Sequence, residues 1–98
     1  MPSTTPTQPV SGTDRLRIAA HVRLTYDPAR ERHVLLSPEA VAVLNGTGVA
    51  VLRLCDGTRT VAEIVAGLRS RYDRVDDAEV QRFLGHLAAR RYVEATRG

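Results

Sequence analysis

The chain has 98 residues and a formal net charge of +3, with every basic residue an arginine. That length fits one domain with a modest core, and the charge falls well short of the dense basic loading of a strong nucleic-acid binder. A single cysteine excludes an intrachain disulfide, and with three scattered histidines it gives no metal-ligand spacing. No apolar run approaches the roughly 20 residues of a membrane span. The N-terminus has neither a basic start nor a hydrophobic signal core, so a cytoplasmic location is expected.

Met1 to Thr13 is rich in Pro, Thr and Ser and cannot offset its ordering entropy by burial. Asp14 to Ala20 begins to mix Arg with Leu16 and Ile18, as an approach segment to the domain. The domain is therefore placed at residues 16–95, behind a disordered tail at 1–15. Val22-Arg-Leu-Thr-Tyr26 alternates, with Val22, Leu24 and Tyr26 on one face of a strand. Asp27-Pro28-Ala29-Arg30 is a turn, and Glu31 to Leu36 is the return strand. Ser37 to Leu44 is ambiguous. Ser37-Pro38-Glu39 reads as a helix start, but Ala40-Val-Ala-Val-Leu44 is short, β-branched and interrupted by Asn45-Gly46, which favours a strand.

Three helices are expected after that. The first runs from about Thr47, its N-cap, to Cys55, and is apolar almost all round. Asp56-Gly57 ends it, with Gly57 as the left-handed C′ residue. Thr60-Val-Ala-Glu63 is a capping box opening the second helix, from Val61 to about Tyr72. Its core stripe is Val61, Ile64, Val65, Leu68 and Tyr72. The third helix starts at Asp76-Asp-Ala-Glu79, with Val75 and Val80 placed as a hydrophobic staple. Its stripe is Val80, Phe83, Leu84 and Leu87, and it ends near Arg91. Tyr92-Val93 forms a closing strand. The fold class is α+β, winged helix-turn-helix-like, with a three-stranded antiparallel sheet followed by a three-helix bundle.

The chemistry-bearing residues point away from catalysis. Cys55 lies on the most apolar helix and has no adjacent base, so it reads as a core thiol. His21, His33 and His86 are far apart, and no triad, phosphate loop or carboxylate pair is present. A winged-helix nucleic-acid-binding or regulatory domain is the alternative reading. Against it, Asp76, Asp77 and Glu79 occupy the end of the third helix that would meet phosphates. Arg69, Arg71 and Arg74 gather at the end of the second helix, either as a solvated face or as a docking patch for an acidic partner. The third strand, Ala40 to Leu44, carries no charge, and an apolar edge must be covered or used.

Leu44-Asn45-Gly46-Thr47 and the block Leu52-Arg-Leu-Cys-Asp-Gly-Thr-Arg-Thr-Val-Ala-Glu-Ile64 resemble the PqqD family of pyrroloquinoline quinone (PQQ) biosynthesis. The likeness runs from about Leu16 to Ala95. Position 48 departs, since the family usually has Ala where this chain has Gly48. The resemblance implies a three-stranded sheet followed by three helices, which favours strand for Ala40 to Leu44. It implies no catalysis and no cofactor. It also implies binding of a precursor peptide, PqqA, and its presentation to the radical SAM enzyme PqqE. The peptide would dock between the third strand and the third helix. Here that means Ala40, Val41, Ala42, Val43 and Leu44 against Phe83 and Leu87, with Glu79, His86 and Arg90 as the rim. Arg69, Arg71 and Arg74 would be free to meet PqqE.

Overall fold

The computed structural model describes residues 10–96. In chain order the elements are β1 (Arg15–Ile18), β2 (Arg23–Asp27), β3 (Arg32–Leu36), β4 (Val41–Val43), α1 (Gly46–Arg53), β5 (Asp56–Thr60), α2 (Val61–Arg69), α3 (Asp77–Ala89) and β6 (Val93–Thr96). The α+β class holds, with antiparallel sheets and three helices. The arrangement differs from a single sheet followed by helices. There are two three-stranded sheets, β5-β1-β6 and β2-β3-β4, and β5 and β6 are interleaved with the helices.

The expected approach segment is β1, the central strand of its sheet. Its alternation buries Leu16 and leaves Arg15 and Arg17 in solvent. It pairs with β6 in continuous register, from Arg15↔Thr96 to Ile18↔Val93. Its pairing with β5 slips between Arg15↔Thr60 and Arg17↔Asp56. Gly57 lies in that slip with φ +87°, where a Cβ would stand 3.3 Å from the Thr96 methyl. The left-handed conformation is therefore the one expected, but Gly57 serves a β-bulge and not a helix end. Asp56 supports it by accepting from the Thr58 N–H at 2.9 Å and hydroxyl at 2.7 Å.

Residues 1–9 of the expected tail lie outside the described residues. Just after them, Val10 packs against the core, and the carbonyls of Gly12 and Asp14 accept from Ala62 and Val61, at 3.0 and 2.9 Å. These bonds take up two of the free N–H groups that open α2.

The helix boundaries shift for local reasons. Asn45, not Thr47, caps α1, its side chain accepting from the Gly48 N–H at 2.7 Å. α1 ends at Arg53, and a tight turn through Leu54 and Cys55 leads straight into β5. The Thr60–Glu63 capping box is present in both directions. α2 stops at Arg69, so Tyr72 falls outside the helical stripe and is 44% exposed. At α3, Asp76 accepts from the Ala78 N–H. At its far end the Tyr92 N–H reaches the Leu87 carbonyl and the Arg91 N–H that of Ala88, with Arg91 at φ +67°. That is a Schellman closure, with arginine where glycine is usual.

One apolar core joins the elements, with Leu35, Leu52, Val61, Ile64 and Leu84 almost fully buried. No helix of the described residues is long and apolar enough to cross a membrane.

Candidate functional site

Ser37 to Ala40 is a hairpin turn and not a helix start. The Ser37 N–H donates to the Ala40 carbonyl at 3.0 Å, and the Ser37 hydroxyl accepts from the Ala40 N–H at 3.1 Å. The turn sets the register Leu36↔Val41, Leu35↔Ala42 and Val34↔Val43. Beyond it, the Leu44 N–H donates to the His33 carbonyl at 3.0 Å. Hydrogen-bonded pairs alternate along an antiparallel ladder. Ala40 and Leu44 bond inward to β3, so Ala42 does too. The backbone groups of Val41 and Val43 therefore face the free edge of the sheet.

Alternation also sorts the side chains. Leu44 is buried and Ala42 is partly buried against the core, while Val41 and Val43 stand 44% and 49% exposed. Leu36, opposite Val41, is exposed on the same outer face, and Val34, opposite Val43, lies on that face but is buried. Four strands end the two sheets. β2 carries Arg23 and Asp27, β5 carries Asp56 and Arg59, and β6 carries Glu94. Among the edge strands of the described residues, only β4, with the sequence Val-Ala-Val, has no charge. A charged side chain is the usual guard on an edge strand, and β4 lacks one.

Next along the chain, the first turn of α1 and the N-terminal half of α3 enclose a hollow of about 200 Å³. Its apolar lining includes Val51, Leu68, Val75, Val80 and Phe83, and its polar rim includes Arg74, Asp76 and Glu79. Gly48 is what lets α3 come this close. A Cβ there would meet the Phe83 ring at 3.0 Å, so an alanine would push the ring away.

The structure brings two of the sequence-named helix residues, Glu79 and Phe83, into this hollow. His86 and Arg90 are exposed and lie outside its lining, and Leu87 is buried in the core. Sequence reasoning missed Asn45, Thr47 and Gly48 as lining residues. The run of small and polar residues at the start of α1 was the available signal. Arg69, Arg71 and Arg74 do not act as one group. Arg69 is held by the Asp77 carboxylate and the Val75 carbonyl. Arg74 lines the hollow beside Phe83, and Arg71 faces the other flank of α1.

The titratable groups have structural explanations. Burial pushes the Cys55 thiol up to about 12, with neighbouring Asp56 adding to the effect, and its Sγ lies 3.4 Å from the Val51 carbonyl. Asp27 is held below the usual carboxylate range by its hydrogen bond to Arg30. Asp56 is lowered by the Thr58 hydroxyl and N–H, and Glu63 by the Thr60 N–H. No grouping of three or more His, Cys, Asp or Glu side chains able to hold a metal occurs among the described residues.

Similarity to known proteins supports this reading of the fold. A bifunctional coenzyme PQQ synthesis protein C/D of Methylorubrum extorquens is 39% identical over 98 residues, covering 95% of this chain. The chain spans only 26% of that protein. A PqqA binding protein of Rhodopseudomonas palustris (strain TIE-1) is 44% identical over 73 residues, 74% of this chain and 71% of its own. The solution NMR structure of the PqqD truncation of Methylobacterium extorquens PqqCD superposes with a TM-score of 0.74 at 41% identity. That match covers 91% of this chain and 97% of the solved one, which is described as a functional, stand-alone recognition element for ribosomally synthesized and post-translationally modified peptides. Fold and likeness define the class, a small α+β domain with the fold of that solved recognition element. Residues 32–93 match the family described as Coenzyme PQQ synthesis protein D (PqqD), and the chain belongs to that family.

Proposed function

We propose that this chain is a non-catalytic, cytoplasmic adaptor of PQQ biosynthesis that binds the precursor peptide PqqA by strand addition and presents it to PqqE. The observation that carries the reading is β4, the one uncharged edge strand among the described residues, with the backbone of Val41 and Val43 turned outward. An added strand takes affinity from main-chain hydrogen bonds and selectivity from side-chain pockets. In this reading the domain at 16–95 is winged-helix-like, but its third helix forms a wall for a peptide and not a reader of nucleic acid.

The peptide lies along Ala40 to Leu44. Its outward side chains meet Val41, Val43 and Leu36, so apolar residues are favoured there. Its path then leads to the hollow beside Phe83 and Glu79, with Leu87 behind and His86 and Arg90 further along α3. PqqE meets the arginine side. Arg71 is best placed for this, since Arg69 already has a partner and Arg74 borders the peptide hollow.

The test is a titration of isotope-labelled protein with PqqA peptide. Strand addition requires slowed amide exchange at Val41 and Val43, and cross-strand contacts from the peptide to both. It also requires Phe83→Ala to weaken binding while the fold is retained. Shifts confined to β2 or to the β5-β1-β6 sheet would remove β4 from the site.

A further inference from the structure

The two flanks of α1 face different hollows. Thr47, Gly48 and Val51 line the one beside Phe83, whereas Gly46, Val49, Ala50 and Arg53 line a second, of about 480 Å³, between α1 and the end of α2. The second hollow has an apolar floor that includes Ala50, Leu54 and Leu68. Around it stand Arg53 from α1, Arg59 from β5 and Arg71 from the segment after α2. Tyr72, one of the few large apolar side chains left in solvent, completes the wall.

The charge of this hollow is one-sided. Its lining has three guanidinium groups and no carboxylate. Asp56 engages Arg59 from outside the lining, at 2.8 Å, and among the described residues Arg53 and Arg71 make no ion pair. The hollow beside Phe83 differs, because Arg74 there is balanced by Asp76 and Glu79. Arginine is suited to such a site, since its planar fork holds a carboxylate through two parallel hydrogen bonds and its stem covers apolar surface.

We propose that the α1–α2 hollow is a second docking surface, on which an acidic segment of a partner protein seats an aliphatic or aromatic side chain on the floor and its flanking carboxylates on Arg53 and Arg71. Peptide and partner would then occupy opposite flanks of one helix and need not compete. The proposal deepens the partner-docking part of the proposed function, which turned Arg71 towards the partner enzyme, and does not depend on peptide binding at β4. Electrostatic matching of this kind mainly speeds association and excludes wrong partners.

The test uses the acetylated hexapeptide Glu-Asp-Leu-Leu-Glu-Asp as probe, with Gln-Asn-Leu-Leu-Gln-Asn as control, at low salt. The acidic probe is expected to give saturable shifts at the Nε–H groups of Arg53, Arg59 and Arg71 and at the Tyr72 ring. The control should give none. The double variant Arg53→Ser/Arg71→Ser changes exposed residues only. It should weaken the probe about two- to thirtyfold, the range that two exposed ion pairs support, and leave PqqA affinity unchanged. Equal binding of the control, shifts centred on Arg74 and Phe83, or no shifts would each overturn the proposal. So would concentration-dependent self-association lost in the double variant, because the occupant would then be a second copy, through its acidic Asp73, Asp76 and Asp77. A wild-type chain that binds the probe but not PqqA would fail the proposed function alone.

Discussion

A pair of proline substitutions separates the two edges of β4. The register directs the Ala42 N–H to Leu35 and the Val43 N–H to solvent. Val43→Pro therefore removes a donor that the folded chain does not use, and proline is tolerated on the open side of an edge strand. Ala42→Pro removes a ladder bond and drives the ring into β3. If the peptide adds antiparallel, the N–H and carbonyl of Val43 bond to a single peptide residue. A ring at that position displaces the peptide, so both bonds go. At about 0.5–1.5 kcal/mol net for each bond, the loss is about 1–3 kcal/mol, or about 5- to 150-fold in Kd. Val43→Thr keeps the N–H and reduces only the apolar contact, so it isolates the backbone contribution. Calorimetric titration with PqqA reads the affinities, and urea unfolding reads the stabilities. Val43→Pro should keep the fold and lose affinity, whereas Ala42→Pro should lose stability first. A folded Val43→Pro protein with wild-type affinity would refute strand addition at β4.

Four further outcomes are expected. Thr60→Ala should lower stability by about 0.5–2 kcal/mol in urea unfolding, since it breaks the bond to the Glu63 N–H, and PqqA affinity should be unchanged. Arg91→Gly should raise stability by up to about 1–2 kcal/mol, by relieving a left-handed arginine in the closure of α3; a neutral or lower value would mean that the Arg91 side chain contributes what the backbone loses. Cys55 should react with thiol reagents at pH 8 only as fast as the chain unfolds. Its folded pKa lies above the unfolded one, so its contribution to stability is complete below the usual thiol range and is lost as pH rises towards about 12; rapid native-state alkylation would contradict this. Removing residues 1–9 should leave stability and PqqA affinity unchanged, whereas removing residues 1–15 should lower stability, because the carbonyls of Gly12 and Asp14 then no longer bond to the start of α2.

What could be read from the sequence was what is decided locally. The Thr60–Glu63 capping box involves residues three apart, and its chemistry is written in two letters. The apolar stripe of α3 was legible for the same reason. β1 was legible in principle, since Arg-Leu-Arg-Ile alternates, but four residues beside a polar tail were too few to argue from alone. β5 was not legible. Asp-Gly-Thr-Arg-Thr has no apolar residue, and it is a strand because β1 pairs with it. Gly57 shows the limit of such reading. Its left-handed backbone could be read from its residue type, but whether it ended a helix or formed a bulge depended on a strand more than thirty residues away. The site follows the same division. An uncharged Val-Ala-Val could be recognised, but which backbone groups it frees depends on the Pro38–Glu39 turn. The meeting of Arg53 with Arg71 depends on how α1 packs against α2.

The short, uncharged edge also bounds the affinity it can supply. Two outward residues offer four backbone groups, worth about 2–6 kcal/mol if all are paired. That corresponds to no better than about tens of micromolar, before the cost of ordering a flexible peptide is subtracted. Lengthening β4 would strengthen binding but would also expose a longer template for pairing with other chains. The turn at Ser37–Ala40 and the Asn45 cap confine the strand to three residues. Tight binding by this domain therefore requires a second contact. The hollow beside Phe83 begins at Asn45, two residues beyond the end of β4, and Gly48 holds it in shape. On this argument the edge fixes the direction and register of the peptide, and a side chain seated against Phe83 decides which peptide is kept.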